Sequence, residues 1–240
     1  MWHALGIGAL AVSSLLIGAA LALLVKLPVR TVGVLLAFGA GALVSSVSFE
    51  LADEAINQGG VVWFGVGLAL GALTFYGGDR MLESRAGRRR PHRQAAGSSS
   101  GSVLALGALL DGIPEQTALG ISLAGGAKAD VALIAAIFVS NLPEAVGSAA
   151  DLHKAGSSAA RVLGLWALVA LVGIVATAAG YGLLDGASGE VRGTVNAFAA
   201  GAVLCMLIDS MIPEARHDGG RVAGLATMLG FAVAVALSQA

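Results

Sequence analysis

The hydrophobic positions of this chain fall into eight long runs, separated by short stretches that contain glycine or polar residues. About 20 apolar residues in a helix cross the hydrocarbon core of a bilayer. We therefore predict an all-α polytopic membrane protein in which residues 1–240 form a single transmembrane domain. The predicted spans cover residues 4–25, 31–52, 60–79, 101–123, 129–150, 161–184, 191–213 and 221–239.

The composition supports the same class. Hydrophobic residues make up 57% of the chain and charged residues only 12%, whereas soluble domains are about 25% charged. The 35 glycines favour close contact between helices in lipid, where small residues let backbones approach. The single cysteine, Cys205, excludes an intrachain disulfide. The first apolar run has no Lys or Arg before it and continues to Val25, so we interpret it as a retained helix.

The basic residues predict the orientation. The longest connection, residues 80–100, is rich in arginine, and such loops stay in the cytoplasm. All but two of the 14 Lys and Arg residues then lie on the cytoplasmic side, the exceptions being Lys128 and Arg192. We expect a protein of the cytoplasmic (inner) membrane with both termini external. The basic run would contact anionic lipid, and no nucleic acid partner is predicted.

An internal repeat relates the second span to the seventh. Aligning Phe38 with Phe198 also matches residues 40, 41, 42, 54 and 55 with residues 200, 201, 202, 214 and 215. In the predicted topology these two spans run in opposite directions. An inverted repeat with interrupted helices near the membrane midplane is typical of secondary transporters.

Two motifs place proline and carboxylate groups inside apolar runs. They are Asp111-Gly112-Ile113-Pro114-Glu115 and Ser140-Asn141-Leu142-Pro143-Glu144. A charged side chain at the bilayer centre costs roughly 2.5–3.5 kcal/mol, and residues four apart share a helix face. If the motifs face each other, their oxygen atoms would form one cation site. The candidate ligands are Asp111, Glu115, Gln116, Ser140, Asn141 and Glu144.

A divalent cation would balance the buried carboxylates, and an all-oxygen site favours hard ions such as Mg²⁺ or Mn²⁺. Asp209, deep in the seventh span, is a further candidate that would line the exit path. The structural alternative is that the motifs are helix kinks whose acids are protonated or hydrogen-bonded and serve only packing.

The chain resembles the ZIP (Zrt/Irt-like) metal transporters. The resemblance rests on the Pro-Glu motifs of spans four and five, the Pro213-Glu214-Ala215 end of span seven, the eight spans, the external termini and the basic third loop. It implies a 3+2+3 helix arrangement, a homodimer, and movement of a divalent metal (Zn, Mn, Fe or similar) toward the cytoplasm. It also implies that Asp111, Glu115, Ser140 and Glu144 form the primary metal site.

Three departures from the family pattern narrow this expectation. Asp111 and Ser140 stand where the family usually has histidine, which weakens the case for zinc. A second metal would need a ligand at position 112, and Gly112 has no side chain to offer. It would also need an acid from span six, which has none between Arg161 and Asp185. A single oxygen-lined metal position is therefore expected.

Two other hypotheses remain open beside the transporter. A ZIP-like protein without transport activity would act as a metal sensor or assembly partner. An intramembrane enzyme would use paired acids as general acid and base, but the prolines have no role in that chemistry. We predict a transporter rather than an enzyme, with no resident cofactor.

Overall fold

The computed structural model describes residues 2–85, 101–124, 131–184 and 186–238, without the side chains of residues 82–85, 101–108, 110–111, 131–132 and 183. Most of the predicted basic loop and the side chain of Asp111 lie outside the described residues. The described residues are helical and include no strand. The helices are α1 (Trp2–Leu24), α2 (Val29–Ser46), α3 (Ala52–Arg85), α4 (Gly101–Ala124), α5 (Val131–Lys154), α6 (Ala159–Leu183), α7 (Gly189–Met206), α8 (Ile212–Gly219) and α9 (Ala223–Ser238).

Residues with capping chemistry mark several helix starts. Pro28 is extended before α2. The hydroxyl groups of Ser158 and Ser188 accept hydrogen bonds from the backbone N–H groups of Arg161 and Val191, each at 3.4 Å. Such side chains satisfy backbone donors that a first helical turn leaves without a helical partner.

Five helical stretches are long and apolar enough to cross a membrane. They are Trp2–Leu24, Val29–Met81, Leu133–Lys154, Ala159–Gly182 and Gly189–Ser238. For the described residues, the prediction of a helical protein with several helices long and apolar enough to cross a membrane is confirmed. Two of the stretches are about twice the length of one crossing. Each contains a glycine at positive φ, Gly60 at 75° and Gly220 at 66°, a backbone conformation that other residues rarely adopt.

The two motif prolines do not end their helices. Both α4 and α5 run continuously through Pro114 and Pro143, as the predicted spans 101–123 and 129–150 also do. Proline is tolerated within membrane helices when neighbouring helices and side chains satisfy the backbone groups it leaves free. The motifs therefore lie on continuous helices.

The helices pack as two groups. In the first group, α1 packs on α5 and α6, and α4 packs on α6. In the second group, α2 packs on α8 and α9, and α3 packs on α7. The groups meet where α2 contacts α5 and where α7 contacts α4. The motif helices α4 and α5 thus lie at the boundary between the groups.

Local backbone features repeat 160 residues apart, which is the separation between Phe38 and Phe198 in the internal repeat. A π-helical segment at Val47–Leu51 follows α2, and its counterpart at Leu207–Met211 follows α7. Gly60 and Gly220 are related by the same separation. A π turn contains one residue more than an α turn and occurs mostly as a single bulge within an α-helix. The two segments are therefore equivalent in backbone.

Close helix contacts repeat in the same way. A methyl group at Gly33 would overlap the backbone nitrogen of Gly219, and one at Gly193 would overlap that of Gly59. A methyl group at Gly41 would overlap the carbonyl oxygen of Thr227, and one at Gly201 would overlap that of Leu68. The α2–α9 contact and the α7–α3 contact are thus built alike.

Candidate functional site

The motif of α4 presents two adjacent faces. Leu109, Gly112, Ile113 and Gln116 recur at helical spacing and line a small cavity. Glu115 lies about 100° around the helix from Gln116, and only 4% of its surface is exposed. The carboxylate and the cavity therefore occupy neighbouring faces of the same turn.

The cavity lies between α1, α4, α5 and α6. It is completed by Val12 and Leu15 of α1, Asn141 of α5, and Val169 and Gly173 of α6. Its free space holds roughly one water molecule. The carboxamides of Gln116 and Asn141 are its polar groups, so the structure brings these two candidate residues together.

Gln116 is anchored to α6. The hydroxyl group of Thr177 donates a hydrogen bond to Gln116 Oε1 over 2.9 Å, and both residues are buried. Within the described part of the chain, Gln116 Nε2 has no hydrogen-bond partner. Because Nε2 belongs to a residue that lines the cavity, a water molecule there would be a suitable acceptor. The sequence did not indicate Thr177 as part of this site.

Gly112 and Asn141 line the same cavity, where the family pattern would place a second metal. The α6 residues beside them are Val169 and Gly173, which provide no carboxylate. The described lining is thus mostly apolar, with the two carboxamides as its polar groups. The expectation of a single metal position stays a prediction.

Ser140 is buried at the boundary between the two helix groups. Its hydroxyl group donates a hydrogen bond to the carbonyl oxygen of Ile137 over 3.0 Å. A methyl group built at Gly39 of α2 would lie 2.7 Å from Ser140 Cα. Because only glycine permits this approach, α2 covers the first residue of the α5 motif directly.

Glu144 is half-buried on the same face of α5 as Ser140. No group of three or more His, Cys, Asp or Glu side chains suited to a metal ion occurs among the described residues. The side chain of Asp111 lies outside that description. The acids of the two motifs whose side chains the structure describes are therefore Glu115 and Glu144. The other described candidate ligands, Gln116, Ser140 and Asn141, are neutral.

Asp209 is exposed, in the second π-helical segment, and accepts a hydrogen bond from the Cys205 thiol over 3.3 Å. That segment packs on α2, α7 and α8. The predicted place of Asp209 on an exit path stays a prediction.

Asn196 of α7 is a polar residue that the sequence did not single out. Only 1% of its surface is exposed, and neither atom of its carboxamide has a hydrogen-bond partner in the described ranges. A single Asn in an apolar helix does not form a recognisable motif. In the sequence, only the internal repeat distinguishes Asn196, because the equivalent position is the apolar Leu36.

A comparison of the chain with protein-family models finds no match, and neither does a comparison with curated proteins.

Proposed function

We propose that the protein is a ZIP-like transporter that moves a divalent cation across the cytoplasmic membrane through one oxygen-lined site between α4 and α5. The observation on which this proposal rests is the convergence of the two motifs. Glu115 is buried on α4, beside a cavity that Gln116 and Asn141 line together. Buried carboxylates are rare unless they are paired with a cation or protonated.

The arrangement of the helices supports transport rather than simple binding. In this proposal the breaks at Gly60 and Gly220 divide the two longest stretches, which gives seven crossings, and α4 is the eighth in a 3+2+3 inverted repeat. The repeated π segments and glycine contacts fit such a repeat. The motif helices α4 and α5 lie at the boundary of the two packing groups, and secondary transporters with inverted repeats bind their substrates at such internal interfaces.

The surface supports a membrane location. Large apolar side chains are exposed on α3, including Val61 at 71% and Val62 at 75%, and on α9, including Leu225 at 73%. Lipid would cover these faces. In the proposed orientation both termini are external, and two copies associate as a homodimer, as the family resemblance implies.

Uptake of radioactive Mn²⁺ into proteoliposomes tests the proposal. Replacing Glu115 or Glu144 with Gln keeps size and shape but removes the charge that binds the cation, so uptake should fall more than tenfold. Asp53→Ala, which removes an exposed acid at the start of α3, is the matched control and should transport normally.

Unchanged uptake by both Gln variants would overturn the site. Specific Mn²⁺ binding by the purified protein without any uptake would instead favour the metal-sensor hypothesis. Zn²⁺, Fe²⁺, Co²⁺ and Mg²⁺ offered in competition would identify the preferred ion.

A further inference from the structure

We propose that Asn196 of α7 is a further ligand of the transported cation, supplied to the α4 motif by the second helix group. This inference rests on the proposed function and deepens it. It adds a residue from outside the two motifs, and it makes the cation a bridge between the two groups of helices.

The first observation is the state of the Asn196 side chain. It is buried, and neither Nδ2 nor Oδ1 has a hydrogen-bond partner among the described residues. Buried polar groups are nearly always paired, because an unpaired amide loses its hydration without compensation. Gln116, the comparable buried amide, has Thr177. The carboxamide of Asn196 is therefore available to a partner that the described residues do not supply.

The second observation is the face of α7 that Asn196 occupies. Ala197 lies toward α3, since a methyl group at Gly67 would meet its Cβ at 2.8 Å. Asn196 is about 100° around the helix from Ala197. Besides α3, α7 also packs on α4. Asn196 is thus turned away from the α3 contact, on the side where α4 can lie.

The internal repeat gives the level of Asn196 along the α4 motif. Its counterpart is Leu36 of α2, and one turn beyond Leu36 lies Gly39, which touches Ser140 at the start of the α5 motif. If the packing of α7 on α4 repeats the packing of α2 on α5, the equivalent pair is Ala199 of α7 and the first residue of the α4 motif. That register places Asn196 one turn away, at the level of the α4 motif that carries Glu115.

The chemistry of a carboxamide suits this position. Its oxygen is a hard, neutral ligand of the type that Mg²⁺ and Mn²⁺ accept. The carboxylates of the two motifs already supply enough negative charge for a divalent ion, so a neutral ligand adds coordination without adding further negative charge. In α2, the helix equivalent to α7, the position of Asn196 is occupied by Leu36, which has no ligand atom. Only one half of the internal repeat therefore supplies this extra ligand.

The test compares Asn196→Leu with the wild-type full-length protein in detergent. Leucine is the residue that the repeat tolerates at the equivalent position. Mn²⁺ affinity, measured by calorimetry, should weaken about tenfold or more. The thermal midpoint in the presence of a chelator should stay the same or rise, because an unpaired buried amide has been replaced by an apolar side chain.

Ser46→Ala is the matched control. Ser46 is also fully buried and its hydroxyl group has no partner within the described ranges, but it lies on α2 beside the first π-helical segment. Its removal should leave Mn²⁺ affinity unchanged. Asn196→Asp should bind Mn²⁺ at least as tightly as the wild type and should lower the thermal midpoint in chelator, because a buried acid then lacks its cation.

Wild-type affinity in Asn196→Leu would overturn the inference while leaving the proposed function intact. A large drop of its thermal midpoint in chelator would also overturn it, since Asn196 would then be part of a structural hydrogen-bond network. Absence of Mn²⁺ binding by the wild-type protein would overturn the proposed function and this inference together.

Discussion

The helix that passes through Val47–Leu51 and the helix that passes through Leu207–Met211 share a backbone but not a set of side chains. Both contain a π-helical segment, and both are followed by a glycine at positive φ. Where the first has Phe49, packed edge-on against Phe231, the second has Asp209. The difference teaches that the repeated backbone sets the packing, whereas the unequal side chains give the two halves different chemistry.

The largest effect is expected at the repeated glycine contacts. Gly41→Ala and Gly201→Ala each force a methyl group into a backbone carbonyl of the neighbouring helix. Since backbone atoms cannot move aside as a flexible side chain does, we expect each to cost about 3 kcal/mol. Thermal unfolding in detergent would show two similar drops.

Gly65→Ala is the control for this pair, because nothing lies within 4 Å of a methyl group there. It should be neutral or slightly stabilising, since Ala favours the helix over Gly. If only one of the two contact variants were destabilised, the α2–α9 and α7–α3 contacts would not be equivalent.

A smaller effect is expected at the two breaks. Gly60→Ala and Gly220→Ala place a side chain where φ is 75° and 66°, and such strain costs roughly 1–3 kcal/mol per residue. Both sites have open space around the new methyl group, so the cost would come from the backbone alone. Unfolding by denaturant would measure it, and equal stability of both variants and the wild type would contradict the observed conformation.

The smallest effect is expected at Asp209. Its carboxylate is exposed and lies on a segment that packs on α2, α7 and α8, so Asp209→Asn should leave Mn²⁺ binding at the central site unchanged and slow uptake about two- to threefold. Phe49→Leu, at the equivalent position, is the control and should change neither. Full uptake by Asp209→Asn would exclude Asp209 from the exit path.

The sequence was sufficient to predict the helical class and the positions of the motifs. Long apolar runs leave few alternatives to membrane helices. The Pro-Glu motifs can be recognised because proline and carboxylate residues are rare within such runs. The break at Gly60 coincides with the first residue of the predicted third span, and the break at Gly220 falls between the predicted seventh and eighth spans. These features depend on local composition, which a single chain displays directly.

Other features could not be predicted, because they depend on contacts between distant segments. The Thr177–Gln116 hydrogen bond joins two helices, and neither residue indicates the other. Asn196 is ordinary in composition, and only its burial without a hydrogen-bond partner draws attention to it.

The two π-helical segments also change what each long helix faces. Successive residues of an α-helix are about 100° apart, so one inserted residue rotates everything after it by more than a quarter of a turn. Side chains before and after Val47–Leu51, or before and after Leu207–Met211, therefore point to different sides of the same continuous helix. A single helix can face protein along one half and lipid or water along the other, without a loop to separate them.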